Sequence, residues 1–104
     1  MQPPDKTLAW LLEQTAAFPA VQKVILFGSR AKGTQTERSD YDIAIVWDIS
    51  YSNTAWATYS EKLREENPQL NQLDLVRMDL ISDDFKKRIL QEGKVLYDKS
   101  STKL

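Results

Sequence analysis

Two short apolar runs and the polar segment between them constrain the fold of this chain most strongly. The first run, Lys23–Phe27, ends in Gly28-Ser29, and the second, Asp40–Trp47, begins with two acidic residues two positions apart. Apolar runs of this length, bounded by turn residues, are typical of buried strands. We therefore predict two strands, joined by a glycine turn, a short helix over Ser29–Lys32 that ends at Gly33, and a polar loop.

Helical periodicity and capping residues predict the remaining elements. Leu8, Leu11 and Leu12 share one face of a first helix, which Asp5 or Thr7 caps and which ends before Pro19. Further along the chain the pattern predicts a helix over Asn53–Glu66, a strand over Leu70–Arg77, a helix between Ser82 and Gly93, and a strand over Lys94–Tyr97. The alternation of helices and strands predicts an α/β (α+β) fold, with a mixed sheet of about four strands and helices packed against it. Residues 1–104 are expected to form a single domain.

Composition excludes several kinds of chemistry. The sequence contains neither cysteine nor histidine, so it has no disulfide, no thiolate metal site and no imidazole base. Catalysis would then rest on carboxylates, hydroxyls, Lys or Arg, and hard metal ions. A net charge of −1 argues against stable binding of a long nucleic acid. The expected partner is a small molecule or another protein.

Two absent signals bear on where the protein works. No apolar stretch approaches the roughly 20 residues that span a bilayer, and the N-terminal MQPPDKT has no apolar core of a signal peptide. We therefore expect no membrane partner and a cytoplasmic location.

Gly28-Ser29 follows a predicted strand and opens a predicted helix, which is an arrangement suited to phosphate. Glycine lets a ligand approach the backbone, and Ser29 adds a hydroxyl donor. The same two residues also suit an ordinary glycine turn in which serine caps a helix.

Asp40 and Asp42 would project from the same side of one strand, with their carboxylates about 6–7 Å apart. Such a pair stays ionised at low cost only with a cation nearby, and Mg²⁺ is commonly bound by one or two carboxylates together with substrate phosphates. The alternative is a turn at Ser39-Asp40 with Asp42 at a solvated strand end. Asp74, which lies in an apolar run, is the best third carboxylate, because Asp48 and Asp79 each lie at the end of a run.

Taken together, these motifs resemble a known family. Gly28-Ser29, ten residues, and then Asp40-Tyr41-Asp42, with Asp74 on a later strand, are similar to the signature of the DNA polymerase β-like nucleotidyltransferases. The segments FGSRAKG, SDYDIAI, LDLV and SDDFKKRILQEGKVLYD more closely resemble the minimal nucleotidyltransferases of that family, which are encoded beside a HEPN-domain partner.

The resemblance implies roles for the motif residues. Gly28 and Ser29 would hold the phosphates of a nucleoside triphosphate such as ATP, with Arg30 as a helper. Asp40, Asp42 and Asp74 would be the catalytic carboxylates, binding two Mg²⁺ ions, with Asp74 on the side of the attacking hydroxyl. Metal activation agrees with the absence of histidine.

The resemblance also implies a partner. The chain would be the antitoxin of a HEPN toxin and would transfer AMP to a tyrosine hydroxyl of that toxin. Two alternatives stay open: a non-catalytic antitoxin that blocks its partner by occlusion, and an enzyme that modifies a small molecule such as an aminoglycoside. The nucleotide base and the oligomeric state, including a homodimer, are also open.

Three consecutive cations, Lys86, Lys87 and Arg88, occur in the last predicted helix. We expect them to form a solvated face rather than a binding patch.

Overall fold

A computed structural model describes residues 5–102 of the chain, with side chains for residues 5–100. The helices are α1 (Lys6–Thr15), α2 (Ser29–Lys32), α3 (Asn53–Glu65) and α4 (Asp83–Glu92). The strands are β1 (Val21–Phe27), β2 (Tyr41–Trp47), β3 (Leu73–Arg77) and β4 (Lys94–Asp98). Short 3₁₀ turns follow β3 at Met78–Leu80 and β4 at Lys99–Thr102. None of the helices in this part of the chain is long and apolar enough to cross a membrane.

The strands form one mixed sheet in the order β3-β2-β1-β4. β1 runs antiparallel to both β2 and β4, whereas β2 and β3 are parallel and joined by α3. The predicted fold class, a mixed sheet of about four strands with helices, is confirmed. In this arrangement the C-terminal end of β1 and the N-terminal ends of β2 and β3 lie side by side at one end of the sheet. This row of strand ends is called the shared sheet edge.

Apolar residues fill both faces of the sheet. Along β2, Ile43, Ile45 and Trp47 face one cluster, while Ala44 belongs to another that includes Ile89 of α4. The first cluster also contains Leu11, Tyr59 and Leu63, which α1 and α3 contribute. This alternation is the period of two that the sequence predicts for a buried strand. By the same alternation, Asp42 lies on the α4 side of the sheet.

Side-chain caps begin three of the helices. The side chains of Asp5, Ser52 and Ser82 accept hydrogen bonds of 3.0, 3.1 and 3.2 Å from backbone N–H groups three residues ahead. Such a cap is worth about 1 kcal/mol. Asp5, rather than Thr7, is therefore the cap of α1, and Ser82 is the cap of α4.

Three predicted strand starts were wrong, and the first is that of β1, which begins at Val21 rather than Lys23. β3 begins at Leu73 rather than Leu70, because Asn67 bonds to the backbone of Gln69 (3.0 Å) and Asn71 (2.8 Å) and holds this segment in a turn. Leu70 is therefore fully exposed. β2 begins at Tyr41, so Asp40 lies just before the strand instead of in it.

Candidate functional site

The shared sheet edge brings two of the predicted acids together. Asp42 of β2 lies directly opposite Asp74 of the parallel strand β3, and opposite Phe27 of β1 on its other side. Neighbouring strands are about 4.8 Å apart, and partners in register project from the same face. Asp42 and Asp74 are therefore adjacent, while Asp40 lies two residues earlier in an exposed position.

The electrostatics of Asp42 reflect this crowding. Partial burial raises the pKa of its carboxyl above the ordinary value, and the negative charges of Asp74 and then Asp40 raise it further. All three acids therefore lie within electrostatic range of one another. Ionised Asp42 is unfavourable here unless a cation offsets the charge.

The donor set at this edge suits a hard cation. As they stand, no three acidic side chains among the described residues are grouped closely enough to hold a metal ion. Mg²⁺ does not require such a group, because it usually takes one or two carboxylates and completes its shell with water and substrate phosphates. Asp42 and Asp74 supply the carboxylates, and Asp40 is the acid next to them in the chain.

The glycine turn lies against the acids. Gly28 has a φ of 73°, a left-handed conformation that favours glycine. A Cβ atom on Gly28 would overlap the carboxylate of Asp42, so no other residue fits without displacing that side chain. Ser29 follows in a half-buried position, and within the described part of the chain its hydroxyl forms no hydrogen bond. Backbone and hydroxyl groups at this turn are thus open to a ligand beside Asp42.

Arg30 is engaged by the loop that leads to Asp40. Its Nε and Nη2 atoms donate to the carbonyl oxygen of Ser39 at 3.1 and 2.9 Å. Its guanidinium also lies 3.9 Å from the centre of the Tyr41 ring. Arg30 therefore contacts the residues on both sides of Asp40. Phosphate binding by Arg30 stays a prediction, because these contacts already occupy the guanidinium.

Sequence reasoning missed a second residue that holds this loop. Asn71 Nδ2 donates to the carbonyl oxygens of Glu37 at 2.6 Å and Ser39 at 3.1 Å. Asn71 lies just before β3, so it links the loop before Asp40 to the strand that carries Asp74. No local pattern marks this contact, because its partners are more than 30 residues apart.

Asp48 and Asp79, the other two candidates for the third carboxylate, lie at the opposite end of the sheet, after the C-terminal ends of β2 and β3. Asp79 pairs with Arg77 at 2.6 Å, and hydrogen bonding from that guanidinium lowers the pKa of the Asp79 carboxyl. Asp48 accepts hydrogen bonds from the hydroxyl and backbone N–H of Ser50, which lower its pKa. Both acids therefore have local structural roles away from Asp42.

Cavities flank the acids on both sides. On the β3 side, one of about 340 Å³ is lined by Asp74, Arg64, Asn67 and the Gln69–Leu73 segment. A neighbouring one of about 620 Å³ includes Asp40, Arg38 and Asn71. On the β1 side, a cavity of about 150 Å³ lies between Gly28, Lys32 and α4, and Arg88 lines it.

Arg88 was expected on a solvated face, and its side chain is indeed exposed, but it also lines the cavity beside Gly28. The expectation for Lys87, which is exposed and lines none of these cavities, agrees with the structure. The position of Arg88 at the edge of the buried face of α4 could have been predicted from the sequence, because Arg88 follows Phe85 by three residues and directly precedes Ile89, which is buried. That spacing puts it at the border of the buried face of α4.

Comparisons with known proteins identify the family of the chain. Residues 10–102 match the family described as "Polymerase beta, Nucleotidyltransferase". A predicted protein adenylyltransferase of Methanocaldococcus jannaschii, MJ0604, is 34% identical, over 74% of this chain and 79% of that protein.

Solved structures are similar over most of the chain. A toxin–antitoxin crystal structure with AMP-PNP contains a chain that is 26% identical and superposes with a TM-score of 0.71, covering 91% of this chain and 76% of that one. A complex of the tri-AMPylated Shewanella oneidensis HEPN toxin with its MNT antitoxin contains a chain with a TM-score of 0.64 and 22% identity, over 92% and 73% of the two chains. At that identity, the second likeness shows the fold alone.

The family match extends over residues 10–102, nearly the whole chain, and so includes Gly28, Asp42 and Asp74. This chain therefore belongs to the polymerase beta nucleotidyltransferase family.

Proposed function

We propose that this chain is a Mg²⁺-dependent adenylyltransferase that transfers AMP from ATP to a tyrosine hydroxyl of a HEPN-domain toxin, and that it thereby acts as the antitoxin. The observation that carries the proposal is the position of Asp42, in register with Asp74 and in contact with Gly28. This juxtaposition puts paired carboxylates beside a turn that is open to phosphate. Residues 1–104 would work as one minimal nucleotidyltransferase domain.

Each residue of the site has a role in this proposal. The backbone at Gly28 and the hydroxyl of Ser29 would bind the phosphates that leave as pyrophosphate. Asp42 and Asp74, with Asp40, would hold two Mg²⁺ ions. When bound, these ions would neutralise phosphate charge and lower the pKa of the attacking hydroxyl.

The reaction would be an in-line displacement. The acceptor oxygen forms a bond to the α-phosphorus of ATP, and the bond from that phosphorus to the bridging oxygen of the β-phosphate breaks. Asp74, on the acceptor side, would receive the hydroxyl proton, and pyrophosphate leaves with the electron pair of the broken bond. Most of the rate enhancement would come from positioning and charge neutralisation by the chain.

Space for the acceptor is available on the β3 side. The cavity that Asp74 lines is open and has amide side chains from Asn67, Gln69 and Gln72 along its wall. Exposed Leu70 adds an apolar contact at its rim. A tyrosine offers a ring for the apolar residue and a hydroxyl for the acid, which supports a protein side chain as acceptor.

The comparisons support the choice of nucleotide and partner. The structure that is 26% identical to this chain is a toxin–antitoxin complex with AMP-PNP, an ATP analogue. The M. jannaschii relative is a predicted protein adenylyltransferase, and the S. oneidensis complex contains an AMPylated HEPN toxin. A cytoplasmic location belongs to the same proposal, because ATP and a newly made toxin are both available there.

The test is transfer of label to the partner. Purified chain, the HEPN-domain protein encoded beside it, Mg²⁺ and ATP labelled in the α-phosphate should yield labelled partner. Asp42→Asn should abolish the transfer, and Asp48→Asn, which removes an acid at the opposite sheet edge, should not. If the complex forms and no label moves, the enzymatic proposal is wrong for this partner.

Two further variants address the occlusion alternative. If the chain neutralises its toxin only by binding, Asp40→Asn and Asp74→Asn should protect cells as well as the unchanged chain does. Loss of protection by variants that remain folded and still bind the toxin would contradict occlusion. This alternative has support in the similarity to toxin–antitoxin complexes, in which binding itself is observed.

A further inference from the structure

The cavity on the β1 side of the acids lies between the glycine turn and helix α4. It has a volume of about 150 Å³, and its lining includes Gly28 and Lys32 on one side and Arg88 and Glu92 on the other. This volume is about five times the roughly 30 Å³ that one water occupies in the liquid. It has room for a phosphate group.

The cations around this cavity differ in how far they are already engaged. Lys32 pairs with Glu92 at 3.3 Å, and this bridge joins α2 to α4. On the same helix, Lys86 pairs with Asp83 at 3.7 Å. The guanidinium of Arg88 has no hydrogen bond, ion pair or ring contact with any residue in the described range. Arg88 is thus the cation at this cavity that is available to a ligand.

The backbone around Arg88 is well anchored. Ile89, its neighbour, is almost completely buried against the sheet, and Phe85, one turn earlier, packs edge-to-face on Phe27 with ring centres 5.7 Å apart. Phe27 directly precedes Gly28, so α4 is attached to the same strand end that forms the turn. The Arg88 side chain therefore starts from a fixed position relative to Gly28.

A triphosphate bound at the glycine turn would need a positively charged residue near its phosphates. A nucleoside triphosphate would bring several negative charges to a turn that already contacts Asp42 and lies near Asp74 and Asp40. Arg30, the other arginine near the turn, is occupied by Ser39 and Tyr41. A guanidinium binds phosphate oxygens through paired N–H groups, which makes such contacts strong and directional.

We propose that Arg88 binds the terminal phosphate of the nucleoside triphosphate held at the Gly28-Ser29 turn. The proposal rests on the proposed function and adds a triphosphate-sensing residue from α4 to it. Of the two phosphates that leave as pyrophosphate, the terminal one would also reach into the cavity beside Gly28 and meet the guanidinium. Lys32 would remain paired with Glu92 and contribute only to the surrounding charge.

Binding measurements with two nucleotides test this role. The full chain is titrated, in Mg²⁺, with a non-hydrolysable ATP analogue and separately with AMP, and calorimetry gives the Kd of each. Arg88→Ala should raise the Kd of the triphosphate analogue about tenfold or more and change the Kd of AMP by less than about twofold. Arg88→Lys should recover part of the loss, because it keeps the charge without the paired donors.

Lys87→Ala is the matched control, since it removes one positive charge from the adjacent, exposed position of the same helix. It should leave both Kd values nearly unchanged. Equal effects of Arg88→Ala and Lys87→Ala, or an equal loss for ATP analogue and AMP, would overturn the proposal. In either of those cases the unchanged chain still transfers label. A failure of the proposed function itself would give a different result. The unchanged chain would then neither bind the triphosphate nor transfer label, and the proposed role of Arg88 would also be wrong.

Discussion

Asp42 and Asp74 lie directly opposite each other on the parallel strands β2 and β3, at the edge of the sheet where the glycine turn also lies. Two carboxylates in this position repel each other, and the pKa of Asp42 is raised by burial and by its acidic neighbours. Repulsion between these carboxylates therefore lowers the stability of the ligand-free protein, and a bound cation would relieve it.

Asp42→Asn should make the ligand-free protein more stable at neutral pH. Asp42 has a raised pKa in the folded state, so the folded protein binds its proton more tightly than the unfolded chain does, and ionisation costs stability above the folded pKa. The advantage of Asp42→Asn should therefore shrink as the pH falls through the folded pKa toward the ordinary value of 3.8. Thermal unfolding of both proteins between pH 4 and 8 measures this. A difference in Tm that does not depend on pH would contradict it.

Binding of Mg²⁺ together with a triphosphate analogue should weaken as the pH is lowered. Metal ions bind the deprotonated carboxylate, so protonation of Asp42 competes with them. The increase in Tm that these ligands produce should fall as the pH is lowered through the raised pKa of Asp42. Removal of the metal with a chelator at neutral pH should abolish the metal-dependent part of the increase. An unchanged increase at low pH would show that Asp42 is not a ligand.

Gly28→Ala and Gly33→Ala should differ in their effects, although both glycines have positive φ, 73° and 79°. The left-handed helical conformation of Gly33 costs a non-glycine residue about 1–2 kcal/mol, whereas the φ and ψ of Gly28, 73° and −156°, lie in a region that is almost exclusive to glycine. At Gly33 a Cβ atom meets nothing within 4 Å, whereas at Gly28 it meets the Asp42 carboxylate. Gly28→Ala should therefore lower the free energy of unfolding further and reduce transfer at least tenfold, as denaturant titration and the labelling assay would measure. Equal effects at the two positions would argue against close contact of the turn with Asp42.

Arg30→Lys separates two possible roles of Arg30. If the residue holds the Asp40 loop, lysine should fail, because it lacks the fork that donates twice to Ser39 and stacks on Tyr41. Transfer should then fall about 10- to 100-fold, as small displacements of catalytic groups do. Hydrogen exchange in residues 34–40 should become faster at the same time. Near-normal transfer by Arg30→Lys would instead support a simple charge contact with phosphate.

Alanine substitutions of two leucines compare how much a core position and a surface position contribute to stability. Leu63 is completely buried between α3 and the sheet, and Leu70 is fully exposed. Leu63→Ala should lower the free energy of unfolding by about 2–5 kcal/mol, and Leu70→Ala should change it by less than about 0.5 kcal/mol. Urea titration gives both values. A large effect of Leu70→Ala on stability would contradict the turn that Asn67 forms before β3.

The sequence by itself determined the local structure around the site. Strand alternation in β2, the glycine turn after β1 and the caps at Asp5 and Ser82 all depend on residues within one turn or one strand, so their patterns are visible in the chain. Asp74 stood out for the same reason, as an acid within an apolar run.

Only the tertiary structure decided how these pieces meet. The parallel pairing of β2 with β3 brings Asp74 opposite Asp42, and hydrogen bonds between segments more than 30 residues apart join Asn71 to the Asp40 loop. The contacts of Arg30 with Ser39 and Tyr41, and the position of Arg88 at the cavity beside Gly28, likewise depend on elements that are distant in the sequence. Which cation is occupied and which is available depends on packing between distant elements, and no local pattern of residues carries that information.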